Sequence, residues 1–191
     1  YDLWSVNPDG SNQRKVTWGT FDDREPIWSH DGTRLAFSSD RGNALGSDYN
    51  IWMLDIRSGA ITPLTKAPGE DFMPSWSPDD TEIAFVSSRD AYDGVWVVNV
   101  ATGAERKVRT VKGARVDSPS WGPGGQLMYH VTAAGQTRFE IDGKAVTAEA
   151  GGKTAVLAVH QMRDAIRVPY HQVLLPHQRP REAPQEQLFQ F

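Results

Sequence analysis

Residues 26–40 read PIWSHDGTRLAFSSD, and residues 74–88 read PSWSPDDTEIAFVSS, the same phrase 48 residues later. A third, divergent copy, PSWGPGGQLMYHV, occupies residues 119–131, another 45 residues on. Self-similarity at a nearly constant period of this size indicates a repeat architecture and has to be settled before any local reading. Within each copy, P-x-W-S/G is followed by a turn, SHDG, SPDD or GPGG. Pro presets φ in such turns, Asp bonds back to its own backbone, and Gly closes them. A second apolar strand comes next (LAFSS, IAFVSS, LMYHV), then a polar loop, then a third strand, YNIWMLDI at 49–56 and GVWVVNV at 94–100. The turn RSGA or ATGA leads to a shorter fourth strand.

The start of the chain fits this scheme out of phase. DLWSVNPDGSNQRKVT at 2–17 matches strands three and four, with Trp4 aligned to Trp52 and Trp96, and RFEIDGKAV at 138–146 is a decayed version of the same pair. The expected fold is therefore all-β: three four-stranded antiparallel blades of a β-propeller, plus a leading half blade. The strand composition agrees. IAFV and VWVV are apolar at successive positions, whereas a sheet solvated on one face would alternate. A blade lies between two neighbours, so both faces are buried, and Trp28, Trp76 and Trp121 are expected in the inter-blade core.

Composition limits the function. The 191 residues are 39% hydrophobic and 23% charged, with seven Trp and a net charge of −4. That balance is globular and argues against a nucleic-acid partner. No apolar run is long enough for a membrane span. The chain has no cysteine, which excludes disulfides, thiol catalysis and Cys-ligated zinc without fixing a compartment. Starting inside a strand pattern at Tyr1, without a leader, the sequence is expected to be a mature or excised product.

The phrases PxWSPDG, IAFxSxR and IWxxDxxTG resemble the TolB-like propeller repeat over residues 1 to about 147, most closely at 21–103. The resemblance implies a WD-type propeller, usually of six blades. Such propellers occur in the periplasmic protein TolB and as accessory propellers fused to amidohydrolases, prolyl-oligopeptidase-type peptidases and tricorn-type proteases. It implies a periplasmic or secreted setting and protein or peptide partners. The wording SSDRG…YNIWMLD leans towards the propellers fused to amidohydrolases. This sequence departs from the pattern at His30 (usually Pro), Asp80 (usually Gly) and Gly122 (usually Ser), and Phe139 is expected to stand in for the missing third-strand Trp. A sialidase Asp-box fits Ser29, Asp31 and Gly32 but lacks the aromatic that should follow.

Residues 148–191 change character. TAVLAVHQMRDAI at 154–166 suits a short helix or, in part, a strand, and VPYHQVLL is a second strand candidate. Two strands here would pair with the half unit at 2–17. The Pro- and Gln-rich end reads as disordered. An incomplete ring leaves apolar faces and strand edges bare, so end-to-end self-association or poor solubility is expected.

The chain has no G-x-S-x-G, no H-E-x-x-H, no amidohydrolase-type H-x-H and no Gly-rich phosphate loop. His160, His171 and His177 have no metal-site spacing, and His130 falls on a strand as a packing residue. The chain itself is expected to be non-catalytic. Function is expected on the face where loops 19–25, 67–72 and 112–117 meet loops 40–48 and 89–94. The partner-binding residues expected there are Asp22, Asp23, Arg24, Glu25, Arg41, Glu70, Asp71, Arg89, Asp90, Arg115 and Asp117. No metal or other cofactor is expected; calcium is the one ion such a face would take, but the scattered carboxylates lack a dense ligand loop. Asp9, Asp31 and Asp55 belong to turns at the other end and are expected to be structural.

Overall fold

The computed structural model describes residues 1–42, 48–146 and 173–177, and its regular elements there are all strands. Three four-stranded antiparallel meanders follow one another. The first is β3 (Asp23–Trp28), β4 (Arg34–Ser39), β5 (Asn50–Asp55) and β6 (Ile61–Pro63). The second is β7 (Asp71–Trp76), β8 (Glu82–Ser87), β9 (Gly94–Asn99) and β10 (Glu105–Arg109). The third is β11 (Arg115–Trp121), β12 (Leu127–Ala133), β13 (Gln136–Ile141) and β14 (Lys144–Ala145). Ahead of them, β1 (Asp2–Val6) and β2 (Arg14–Lys15) form the leading half unit.

The first strands of successive blades, β3, β7 and β11, contact one another, which places them at the hub. Each carries a bulge: pairing slips between Arg24 and Ile27, between Phe72 and Ser75, and between Asp117 and Ser120. The extra residues Glu25, Met73 and Ser118 take φ values of 52°, 54° and 53°. A non-glycine residue is rare there and marks a bulge fixed by its surroundings.

The Trp repeat works as expected. Trp76 and Trp121 are 2% and 8% exposed and pack with Ile83 and Phe85, and with Leu127 and Tyr129, against the preceding blade's Ala36 and Ile51 or Ala84 and Val95. Trp28 packs with Leu35 and Phe37 against Leu3. The Trp76 indole N–H donates to the Ile27 carbonyl at 3.1 Å, and that of Trp121 to Ser75 at 3.2 Å. In each case the acceptor precedes the Trp of the previous blade, so the repeat carries a polar register mark as well as bulk. The second strands are buried on both faces: Ile83 to Ser87 are all inaccessible.

Strand register corrects one expectation. Trp52 pairs with Phe37 and Trp96 with Phe85, and the equivalent of both Trp residues opposite Tyr129 is Glu140, not Phe139. Phe139 pairs with His130 and so points to the other face, where the two rings meet edge to face at 4.6 Å. Glu140 is 2% exposed and is held by Arg109 of the second blade at 2.9 Å and by Arg138 at 2.8 Å. Burial raises the Glu140 carboxyl, but the two arginines outweigh it and keep it below the usual carboxylate range. An ion pair thus replaces the Trp contact between blades two and three.

At the other end of the sheet order, β15 (Val173–His177) pairs antiparallel with β1 from Asp2↔His177 to Val6↔Val173, giving a three-stranded sheet β15–β1–β2. The part of the tail that is described therefore pairs with the leading half unit. The helix or strand expected at 154–166 and the disordered end lie outside the described residues.

Candidate functional site

The turns at the end away from the loop face are structural, as their Asp residues suggest. Asp31 accepts from the Ser29 hydroxyl at 2.6 Å and from the Thr33 amide at 2.9 Å; these bonds lower its carboxyl to about 2. Asp9 receives the Ser11 amide and Asp55 the Ser58 amide. The two departures His30 and Asp80 meet: the Asp80 carboxylate accepts the His30 amide at 2.9 Å, the His30 Nδ1 lies 2.8 Å away, and the Asp31 amide donates at 3.0 Å.

On the loop face, four of the eleven expected binding residues are sunk into the fold. Asp23 and Asp71 are fully buried. Arg41 pairs with Asp23, which also accepts from Ser39; Arg89 grips both Asp71 oxygens at 3.1 and 2.9 Å. Burial pushes the Asp71 carboxyl above the ordinary range, against hydrogen bonds from Ser87 and Thr65 and the Arg89 charge. Asp23, Ser39 and Arg41 recur 48 residues later as Asp71, Ser87 and Arg89, and this repetition marks a blade-stapling set. The third blade replaces the whole set with Val116, Val131 and Ala133, as register shows. Replacing all partners together avoids an orphaned buried charge. The four residues, expected as partner-binding, are thus engaged with one another within the fold.

The others stay at the surface. Arg24, Glu25 and Glu70 line a cleft of about 220 Å3 between the first two blades, with Ser38, Tyr49 and Phe72. Glu25, on the bulge, accepts from the Ser38 hydroxyl at 2.8 Å and from the Met73 amide of the next blade at 2.7 Å, through the same oxygen. Arg24 is paired to Asp22 and lies between the Tyr1 and Tyr49 rings, each centroid 5.0 Å away. Burial raises the Asp22 carboxyl, but hydrogen bonds from Arg24 and from Tyr49, at 2.6 Å, hold it below the ordinary range. Burial and then the Asp22 carboxylate push the Tyr49 phenol well up, so it remains a donor. Arg115 of the third blade reaches Asp117 at 2.8 Å and Asp93 of the second at 3.7 Å, while within the second blade Asp90 pairs with Lys107 at 2.6 Å. Among the described residues no group of three or more His, Asp or Glu side chains is arranged to hold a metal ion.

Charge was visible in the sequence; the aromatic part of this face was not singled out. Trp18 is 65% exposed in the loop from β2 to β3, Phe21 lies in the same loop beneath Arg41, and Tyr92 is exposed in the loop from β8 to β9. Their repeat positions could have found them: the residue 48 positions after Trp18 is Lys66, so the blade itself does not require an aromatic there.

Four-stranded blades stacked hub to hub, with their loops gathered on one face, define a β-propeller segment. The chain belongs to the TolB beta propeller domain family, whose model matches residues 43–158, more than half of its length. No curated protein sequence matches it significantly. Among solved structures it is similar to TolB from Acinetobacter baumannii (17% identity, TM-score 0.63, covering 78% of this chain and 38% of that one). It is also similar to a putative TolB from Agrobacterium tumefaciens (18%, 0.55, 79% and 71%) and to an oligogalacturonate lyase from Vibrio parahaemolyticus (17%, 0.54, 69% and 36%). The chain thus spans well under half of the first and third of these proteins.

Proposed function

We propose that this propeller segment is a non-catalytic docking platform that engages a polypeptide partner through its loop face. The observation that supports the reading is Trp18, left 65% exposed on a face that also exposes Phe21 and Tyr92 and surrounds a mixed-charge cleft. Trp, Tyr and Arg are the residues that dominate binding energy at protein interfaces. Similarity to TolB propellers supports a periplasmic or secreted setting for such docking. Selection of a displayed random-peptide library on the whole chain tests this reading. Selected peptides should lose at least about 1 kcal/mol of affinity on Trp18→Ala or Tyr92→Ala. They should be unaffected by Ser58→Ala at the opposite end. Equal losses at both ends would refute a loop-face platform. The chain should also show no turnover of amides, esters or peptides; turnover abolished by changing one of its own His or Asp residues would refute the non-catalytic part.

A second reading, an accessory propeller gating a larger hydrolase, draws on the puromycin hydrolase structure, where the similar region is 26% of that chain (13% identity, TM-score 0.57). A catalytic domain encoded next to this segment would favour it.

A further inference from the structure

We propose that the cleft between the first two blades receives an arginine side chain of the polypeptide partner; this rests on the docking reading above. The protein builds the same arrangement three times with its own arginines. Arg24 sits on Asp22 between the Tyr1 and Tyr49 rings. Arg41 sits on Asp23, with the Phe21 and Phe37 centroids 4.6 and 5.8 Å away. Arg89 sits on Asp71 and Glu105, with Phe85 and Trp96 at 5.5 and 4.5 Å. In each, a guanidinium is held between a carboxylate and aromatic faces, which combines a charge-assisted bond with cation–π attraction.

Beside Arg24, which already covers the Tyr49 ring, the cleft supplies two further carboxylates and the Phe72 ring. Glu70 and Phe72 enter it from the second blade, Glu25 and Tyr49 from the first. Among the described residues, the Glu70 carboxylate has neither a hydrogen bond nor an ion pair, and Glu25 uses one oxygen, leaving the other uncommitted. Among the described residues, the only cation lining the cleft, Arg24, is matched by Asp22. Two carboxylates are therefore in excess beside aromatic faces. At about 220 Å3 the space falls below the roughly 300–1,000 Å3 typical of small-molecule pockets. It suits one side chain entering from a polypeptide laid across the face. The planar, weakly hydrated guanidinium fits such a site better than an ammonium, because it bonds carboxylates with a fork and stacks on rings.

The probes are three capped pentapeptides, acetyl-Gly-Gly-X-Gly-Gly-amide, with X arginine, lysine or citrulline, titrated into the whole chain by NMR. The arginine peptide should shift the Tyr49 and Phe72 resonances. The isosteric but neutral citrulline peptide should bind about tenfold more weakly or not at all, the scale of one charge-assisted bond. Glu70→Gln, at an exposed position that keeps the side-chain shape, should weaken the arginine peptide by a similar factor. Equal binding of arginine and citrulline peptides, no binding of either, or unchanged affinity in Glu70→Gln overturns the proposal. A lysine peptide that binds as tightly as the arginine one overturns the guanidinium assignment. Trp18→Ala should leave these short probes unaffected, so failure of the platform reading and failure of the arginine site give different results.

Discussion

Trp76 fills the space between the first two blades and ties its indole to the Ile27 carbonyl, so one side chain supplies both volume and register. Trp76→Ala should cost about 3–5 kcal/mol, as large buried aromatic deletions do. Trp76→Phe, which keeps a ring but orphans the carbonyl, should cost about 1–3 kcal/mol. Urea unfolding measures both, and an alanine loss below about 1 kcal/mol would mean that the ring is not packed between blades. Trp76 was legible in the sequence because a repeat position reports what every blade needs. Glu140 was not: Phe139, one residue away, looks like the natural heir to the Trp, and only pairing shows that a one-residue offset faces the opposite side. Asp23 and Asp71 were misread for a related reason. Charge is visible in a sequence and burial is not, yet their 48-residue recurrence with Ser39/Ser87 and Arg41/Arg89 was a signal of structure. Trp18, whose repeat partner is Lys66, carries the opposite signal: the blade does not demand an aromatic there.

Turns between first and second strands are the elements in which blades differ most tellingly. Gly32, Asp80 and Gly125 occupy the same turn position, with φ of 69°, 56° and 78°. Glycine takes that conformation without strain, whereas Asp bears a cost. Asp80 offsets it by accepting the His30 and Asp31 amides and the His30 ring nitrogen from the neighbouring blade, while Arg34 donates to its carbonyl at 3.1 Å. His30 and Asp80 are both departures from the family pattern, and each makes sense only with the other: together they clasp blade one to blade two at the end opposite the cleft. A double-mutant cycle of His30→Ala and Asp80→Ala should return a coupling of about 0.5–1.5 kcal/mol, the range for one hydrogen bond between contacting residues. Strict additivity would show that the ring contact contributes nothing and that Asp80 serves only its backbone partners. The bulges at Glu25 and Met73 couple the same two blades at the hub, since the Glu25 carboxylate holds the Met73 amide.

At the scale of the molecule, the main difficulty is the edges of the sheets. Three of the outer strands are kept short, two residues in β2 and β14 and three in β6, which also ends on Pro63, while the five-residue β10 carries Arg106, Lys107 and Arg109; short, charged or Pro-bearing edges resist pairing with other chains. β1 is different. It is five residues long, includes Leu3 and Val6 of the core, and would present an open edge on the side away from β2. β15 covers that edge with five paired residues, which the sequence only hinted at, because VPYHQVLL lacks the turn chemistry that marks every other strand boundary. β15 returns from residue 173 to pair with β1 near the start of the chain, a long-range contact with no hairpin between the two strands, so it should be the first pairing among the described strands to open. Ending the chain at Val146 should therefore bare β1, lower the thermal midpoint and raise the apparent mass by strand-edge association. Light scattering and thermal unfolding of the two forms, side by side and over a range of concentrations, measure this. A truncated chain that stays monomeric and unfolds at the same temperature would show that β15 contributes nothing to closing the β1 edge.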